Sequence, residues 1–355
     1  MIHKPKVLFS QNLAYSLVSI ALLIYGLWIL QALLIPLFFS ALLAIMLLPL
    51  CKRLERWRFP RILAIFLALI LVIFIVVTIG YLAYSQILNF EEIIPSLTAK
   101  SEKLLLQIQN FIRDHYNIGR KKQVLEGQKY LTEILKNNGD VIGNIFGTTT
   151  NFLSNLALVP LYVFLLLLYR DFFRVFIYKL FKNTNKHRLD LVLFKVKEVV
   201  LSYITGLLIV IAIIGTLNTV GLLVIGIDYA FFFGFFAAFL CILPYIGIFI
   251  GAILPVLMAL ITKDSYWYAV AVAGLFGSVQ FMEGNLITPY VVGSKVSVNS
   301  LAAMLSLIIF GSLWGISGLI LALPLTAILK VIFDHVENLK PYGFLLGNAD
   351  HIDVK

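Results

Sequence analysis

One acidic residue draws attention because it follows a long stretch of the chain that carries no charge. Glu283 ends the uncharged run from Tyr266 to Met282, which is about as long as the shortest membrane-spanning helices. An acid within or next to a span costs about 2.5–3.5 kcal/mol on insertion scales, so its presence requires a reason. We therefore predict that Glu283 binds a proton or a cation, or acts as a gate. The alternative places Glu283 at the cytoplasmic surface, in water or paired with Lys295.

The segment after Glu283 is typical of an interrupted backbone. Gly284 favours no single conformation, and Pro289 lacks the N–H group that an ordinary helix needs. Carbonyl groups freed by a broken helix can coordinate an ion or accept hydrogen bonds from a polar solute. The predicted pathway residues in this segment are Glu283, Asn285, Thr288, Pro289 and Gly293.

A second candidate site is the uncharged motif PYIG at residues 244–247. As the tip of a hairpin it would turn backbone amides and carbonyls toward the pathway, and a tyrosine hydroxyl would add a further polar group. The predicted residues here are Pro244, Tyr245 and Gly247. The motif is equally compatible with a helix kink and close helix packing at the glycine. In the preceding apolar run, three polar side chains either line the pathway or join neighbouring helices: Thr216, Asn218 and Thr219.

The sequence lacks the usual signatures of catalysis and of bound cofactors. It contains no phosphate-binding G-x-x-x-x-G-K-[ST] loop, no H-E-x-x-H zinc motif and no G-x-S-x-G nucleophile elbow. Cys51 and Cys241 have no paired spacing that would indicate a disulfide or a metal site. We therefore predict a protein that is not an enzyme and needs no cofactor or metal.

The composition indicates a membrane protein. Of the 355 residues, 61% are hydrophobic and 13% are charged, whereas soluble domains have roughly 45–50% apolar and about 25% charged residues. Uncharged runs of 18 or more residues recur, each long enough to cross a hydrocarbon core of about 30 Å. The sequence therefore predicts an all-α, polytopic helical membrane protein.

The net charge of +10 is concentrated in short loops beside the apolar runs. Residues 51–61 carry +4 and residues 170–198 carry +5, whereas the long polar segment 89–147 carries only +1. This distribution predicts contact with anionic lipids and argues against nucleic acid as a partner. The positive-inside rule places the basic loops, and with them both chain termini, in the cytoplasm.

The apolar runs predict about eight transmembrane segments arranged in four regions. Residues 1–88 hold three spans, with a bend between the first two near Gly26 and Gln31. Residues 89–147 form an extracytoplasmic amphipathic helical segment, because apolar residues recur there at intervals of three and four. Residues 148–340 form a transmembrane transport core with broken helices, and residues 341–355 form a cytoplasmic tail.

Two runs in the core predict hairpins. Tyr229 to Thr262 and Val296 to Leu329 each contain 34 uncharged residues, fewer than the roughly 40 that two full crossings need. Each run is interrupted in its middle, at LPYIGIFIGAILP (243–255) and GSLWGISG (311–318). The interruptions favour re-entrant hairpins, one entering from outside and one from the cytoplasm, in the inverted-repeat plan of secondary transporters. Ordinary tilted helices kinked at proline and glycine are the alternative.

Taken together, these motifs resemble a known family. PYIG followed by GAILP, then EGNLITPYVVG, then WGISGLILALPL, are similar in order and spacing to the hallmarks of the autoinducer-2 exporter family of permeases. The resemblance covers nearly the whole chain and implies a secondary transporter of the bacterial plasma (inner) membrane. Some members are credited with export of the quorum-sensing signal autoinducer-2, and others with exchange of sodium or lithium for protons. The resemblance assigns the family's acidic segment to the residues from Glu283 to Gly293, and its hairpin tip to Pro244, Tyr245 and Gly247.

The chain departs from the family pattern at two places. The family often has a proline after the tip glycine, where this chain has Ile248, and a Leu-His-Pro after the acidic segment, where it has Val298, Asn299 and Ser300. Any proton coupling through that histidine would have no counterpart here. We expect a secondary-active permease that exports a small polar solute, or an antiporter of monovalent cations and protons, coupled to an ion gradient through Glu283. A non-transporting scaffold and a passive channel are the alternatives, and a homo-oligomer is an expected assembly.

Overall fold

The regular structure of the chain is helical, as the sequence predicts. The computed structural model describes residues 9–91, 158–182, 184–242, 246–291 and 298–347, and these ranges contain helices and no β-strand. Among the described helices, five are long and apolar enough to cross a membrane: Gln31–Arg56, Arg61–Tyr81, Lys186–Ile225, Trp267–Ile287 and Ser300–His335. Many of their large apolar side chains are exposed, and the structure agrees with a multi-pass membrane protein.

The first three helices follow the predicted order. Helix α1 (Phe9–Ile29) and helix α2 (Gln31–Arg56) are separated at Leu30, so the predicted bend near Gln31 is confirmed. Helix α3 (Arg61–Glu91) follows a short turn in which Arg58 has a φ of 69°. The predicted extracytoplasmic segment 89–147 lies outside the described residues, apart from its first three positions at the end of α3.

The middle of the chain joins a basic segment directly to a span. Helix α4 (Leu158–Leu168) and helix α5 (Arg170–Leu180) are separated only by Tyr169. Helix α6 (Lys186–Ile225) has 40 residues, which corresponds to about 60 Å and is twice the thickness of a hydrocarbon core. Its charged N-terminal part therefore continues beyond the apolar part that is suited to lipid.

The run from Tyr229 to Thr262 forms a hairpin of two helices. Helix α7 (Ala230–Leu240) has 11 residues, about 16 Å, and is too short to cross a bilayer. Helix α8 (Ile246–Thr262) runs back along it, because Gly251 lies against Ala237 while Gly247 lies against the carbonyl group of Leu240. A Cβ atom at either glycine would collide with α7. The predicted fold-back is confirmed, and its glycines are used for close packing.

The second predicted hairpin lies within helix α11 (Ser300–His335). Gly315 has φ 59° and ψ −137°, which ends one helical arm and starts another. The arms fold against each other, since a Cβ atom on Gly318 would collide with the carbonyl oxygen of Phe310 and one on Gly311 would contact Leu319. In a straight helix, residues eight apart would be about 12 Å apart along the axis. The chain therefore turns back at Gly315.

The end of the described chain packs against this second hairpin. Asn299 caps α11 by accepting a hydrogen bond from the Ala302 amide, and it donates to the carbonyl oxygens of Leu345 and Gly347. Helix α12 (Lys340–Leu346) follows a short 3₁₀ turn, Glu337–Leu339. The first part of the predicted cytoplasmic tail is thus folded, and residues 348–355 lie outside the described residues.

The chain forms two compact units, each with its own apolar core. The first comprises the described parts of Met1–Phe66, Leu158–Thr205 and Val292–Lys355, and its core is built from Leu42, Val200, Trp314, Leu321 and Leu325. The second comprises the described parts of Leu67–Ala157 and Gly206–Val291. Its core includes Leu222, Phe233, Met258, Val272 and Phe276.

The turn at Gly315 can be tested with a matched pair of glycine substitutions. An added Cβ atom would have no neighbour within 4 Å at either Gly315 or Gly277, so the two positions differ only in their backbone conformation. Gly315→Ala forces a side chain into a conformation that costs about 1–3 kcal/mol, and we expect a lower thermal unfolding midpoint in detergent. Gly277→Ala, within a regular helix, should raise stability by about 0.5–1 kcal/mol. An unchanged midpoint for Gly315→Ala would contradict the hairpin turn.

Candidate functional site

The backbone around Glu283 is helical, which corrects one prediction. Helix α9 (Trp267–Met282) continues through a π-helical turn, Glu283–Ile287, into the short helix α10 (Thr288–Val291). The prediction of a broken backbone is therefore wrong for residues 284–291. The physical reason is that a π turn accommodates Pro289 by shifting the hydrogen-bond register, so the helix does not have to end.

The π turn still leaves one carbonyl group without its helical donor. The Thr288 amide donates to the carbonyl oxygen of Glu283, five residues earlier. It therefore does not donate to the carbonyl of Gly284, its partner in an ordinary α-helix. The amide nitrogen of the next residue, Pro289, carries no hydrogen. Neither the α register nor the π register thus supplies a backbone donor for the Gly284 carbonyl. The helix therefore contains a freed acceptor at Gly284.

The Glu283 carboxylate is held by polar neighbours on its own helix. Its Oε2 accepts a hydrogen bond from the Gln280 side-chain amide at 2.9 Å, and its Oε1 accepts one from the Thr288 hydroxyl at 2.8 Å. No ion pair involves Glu283 in the part of the chain that the structure describes, while Lys295, the alternative partner, lies outside that part. The carboxylate is half-buried, and both hydrogen bonds that it accepts come from neutral donors.

A small cavity brings the carboxylate together with an amide from another helix. Glu283 and Gln280 of α9 line it together with Asn218 of α6, and four apolar residues complete the wall: Ile214, Ala237, Phe276 and Val279. The volume inside it that is open to the centre of a water molecule is about 10 Å³, near the roughly 10–15 Å³ that a cavity needs to hold one water molecule. Its size suits an ion or a water molecule better than an organic solute.

Two amide oxygens at this cavity have no hydrogen-bond partner among the described residues. Asn218 is only 2% exposed, and its Oδ1 is buried and has no hydrogen-bond partner. The Oε1 of Gln280 is also buried and has no partner. Leaving a buried acceptor unpaired costs about 1–3 kcal/mol. Three oxygen-bearing side chains thus line one small space, and two of them have free acceptor atoms.

The other two polar side chains of this apolar run make their contacts away from the cavity. Thr219 lies against Gly234 of α7, where a Cβ atom would collide with the threonine hydroxyl. The Thr216 hydroxyl donates to the carbonyl oxygen of Ala212, one turn earlier in the same helix. Of the three polar side chains in this run, only Asn218 reaches the cavity.

The remaining predicted site residues do not converge on this cavity in the described structure. Asn285 is exposed and donates from its Nδ2 to the carbonyl oxygen of Phe281, and Gly247 packs against α7. Pro289 belongs to the backbone of α10. Three further residues lie outside the described residues, so their predicted roles stay predictions: Pro244, Tyr245 and Gly293.

The sequence analysis missed Gln280. This residue lies inside an uncharged run, so a search for charges passes over it. A signal was nevertheless present, because residues three apart lie on the same face of a helix and Gln280 precedes Glu283 by three positions.

The helices and the two hairpins define a polytopic helical membrane protein. The sequence profile of the AI-2E family of transporters matches residues 17–338, which is most of the chain. The protein therefore belongs to the AI-2E transporter family.

Several known proteins are similar to the chain over most of their length. YrrI of Bacillus subtilis, named as a candidate transport protein, is 28% identical over 86% of this chain and 87% of its own. YueF of the same organism, also named as a candidate transport protein, is 27% identical over 86% and 84%. The AI-2 transport protein TqsA of Escherichia coli is 24% identical over 93% and 94%.

The unpaired oxygen of Asn218 can be tested through stability. Asn218→Leu removes a buried acceptor without a partner, so we expect an equal or higher thermal unfolding midpoint in detergent. Ser40→Ala is the control, because Ser40 is fully buried and its hydroxyl lies within hydrogen-bonding distance of the carbonyl oxygens of Pro36 and Val159. This control should lose about 1 kcal/mol. A clear loss of stability in Asn218→Leu would show that Asn218 holds helices together.

Proposed function

We propose that the protein is a secondary-active transporter in which Glu283 couples solute movement to an ion gradient. The observation that carries this proposal is that the Glu283 carboxylate and the Asn218 amide, whose oxygen has no hydrogen-bond partner, line the same cavity. A structural role alone does not account for this arrangement, because it costs stability. Buried polar groups without partners are expected where a ligand completes the hydrogen bonding.

The cavity is suited to both charge states of the carboxylate. When it is ionised, Glu283 accepts hydrogen bonds from Gln280 and Thr288. When it is protonated, the acid becomes a donor and needs an acceptor, which the free Asn218 or Gln280 oxygen would provide. A monovalent cation would instead be coordinated by the carboxylate and the same amide oxygens. The coupling ion is thus proposed to be a proton or a monovalent cation.

The hairpins are proposed to be re-entrant segments of the transport pathway. Helix α7 is too short to cross a bilayer, and both hairpins close through glycine contacts that cover their backbones. With the basic loops in the cytoplasm, the first hairpin would enter from outside and the second from inside. The membrane would be the bacterial plasma (inner) membrane, with both termini in the cytoplasm.

The proposed solute is a small polar molecule similar to autoinducer-2. Support comes from family membership and from TqsA, whose name describes it as an AI-2 transport protein. The cavity at Glu283 fits the coupling ion rather than this solute, so solute binding would require a wider conformation of the alternating-access cycle. Exchange of sodium or lithium for protons is the second candidate, because the same oxygen set can bind such a cation.

The coupling role is tested by neutralising the carboxylate. Glu283→Gln keeps the size of the side chain but removes its charge, so gradient-driven flux in proteoliposomes should fall at least about tenfold, equivalent to ~1.4 kcal/mol. Glu198→Gln, at an exposed acid of α6, is the matched control and should keep wild-type flux. Flux would be measured for autoinducer-2-like diols, sodium and lithium under imposed pH gradients.

Other outcomes of this experiment identify the alternatives. Wild-type flux in Glu283→Gln would remove the carboxylate from the mechanism. If flux through the unmodified protein does not depend on any imposed pH or ion gradient, the protein is a passive channel. Deleting residues 100–140 separates a scaffold from a transporter, since a transport core should still carry solute without that segment.

A further inference from the structure

Helix α5 has two chemically opposite faces. At intervals of four residues one face carries Arg170, Arg174 and Tyr178, and Asp171 lies beside them. The opposite face carries four large apolar side chains: Phe172, Phe173, Phe176 and Leu180. No residue of this helix is buried. A helix with such a division of side chains is amphipathic, and its two faces need different surroundings.

The polar face of α5 is turned toward the protein. Arg170 forms an ion pair of 2.6 Å with Glu55 at the end of α2, and Asp171 forms one of 2.7 Å with Arg61 at the start of α3. Arg174 and Tyr178 both bind Asp190 of α6. The hydrogen bond with Glu55 raises the pKa of Arg170 above its ordinary value. These contacts fix the rotation of α5 about its own axis.

The turn before α5 is held by the same contacts. Besides binding Asp171, Arg61 donates from Nη2 to the carbonyl oxygen of Leu167 at 2.8 Å, in the last turn of α4. The apolar helix α4 therefore leads directly into a helix whose orientation is fixed at the α2–α3 turn. The position of α5, one residue after an apolar helix, is that of a segment at the border of a membrane.

The apolar face of α5 consequently faces away from the protein. Phe172 is 66% exposed, Phe176 is 53% exposed and Leu180 is 62% exposed. A helix in water would show the reverse arrangement, with apolar side chains inward and charges outward. Contact of these side chains with water would cost roughly 25 cal/mol for each Å² of apolar surface. Their natural surroundings are an apolar medium.

We propose that α5 lies in the interfacial layer of an anionic bilayer, with its phenylalanines inserted among the lipids. Exposed basic side chains near this helix support the assignment, because all of them are positively charged. They are Lys52, Arg53, Arg56, Arg58, Lys179 and Lys182. Trp57 and Phe59 in the α2–α3 turn are also exposed, and aromatic rings are favoured at the membrane interface. Each basic residue near an anionic surface adds to the attraction.

A second copy of this chain is a less suitable occupant of the same face. In a symmetric dimer the same patch occurs on both subunits, so the basic residues around α5 would meet each other. Like charges facing each other are repulsive, whereas lipid phosphates are complementary to them. Charge therefore selects the bilayer over a second protomer.

The proposal is tested with nitroxide spin labels on the two faces of α5. Phe176→Cys labels the apolar face and Tyr178→Cys labels the protein-facing side, each in a Cys51→Ala/Cys241→Ala background. Labelled full-length protein would be reconstituted in phosphatidylcholine vesicles with and without phosphatidylglycerol, and accessibility to oxygen and to a water-soluble nickel complex would be measured. We expect the Phe176 label at a depth of about 5–10 Å and the Tyr178 label outside the lipid.

The dependence on anionic lipid completes the test. The Phe176 label should lie deeper with phosphatidylglycerol, and Lys179→Gln/Lys182→Gln should reduce this difference. Nickel accessibility of the Phe176 label equal to that of a label in water would overturn insertion. Equal depth in both membranes would overturn the assignment to anionic lipid. Dipolar broadening that persists at high lipid-to-protein ratios would assign the face to a second copy instead.

Discussion

Hydrocarbon offers no hydrogen bonds, so every backbone amide and carbonyl within a membrane must find its partner in the protein. This constraint explains where the chain interrupts its helices. At both hairpins the two arms approach each other closely, because Gly247 and Gly318 carry no side chain. At Glu283 the chain keeps a helix and changes only its register.

The side chain of Glu283 also finds its hydrogen-bond partners within the protein. Its two oxygens accept hydrogen bonds from donors on its own helix, which lowers the cost of a charge near lipid. Asn218 then adds an acceptor that the described protein leaves unpaired. A site that is fully satisfied would be stable but unable to respond to an ion. A site with free acceptors can exchange a proton or a cation, and the π turn is of the kind often found at functional positions.

The two compact units use charge differently. In the second unit the polar groups at the cavity are mainly neutral amides around one carboxylate. In the first unit, full ion pairs connect the ends of α2 and α3 to α5, and they lie outside the apolar parts of the helices. Ion pairs are tolerated at that level because part of each group remains exposed to polar surroundings. Their value lies in orientation, since they decide which face of α5 points away from the protein.

The sequence by itself determined the class of protein and the order of its helices, and it located the two interruptions at which the long apolar runs turn back while leaving kinked helices as the alternative. Long apolar runs, prolines and glycines act through local physics, namely transfer into lipid and permitted backbone angles, so they can be read along the chain. It did not determine that residues 284–291 remain helical, because a π turn and a broken helix satisfy the same local signals. Only the tertiary structure placed Asn218 beside Glu283, 65 positions away in the sequence. That proximity depends on how α6 packs against α9, through contacts such as Gly221 with Leu275, and no local pattern encodes it.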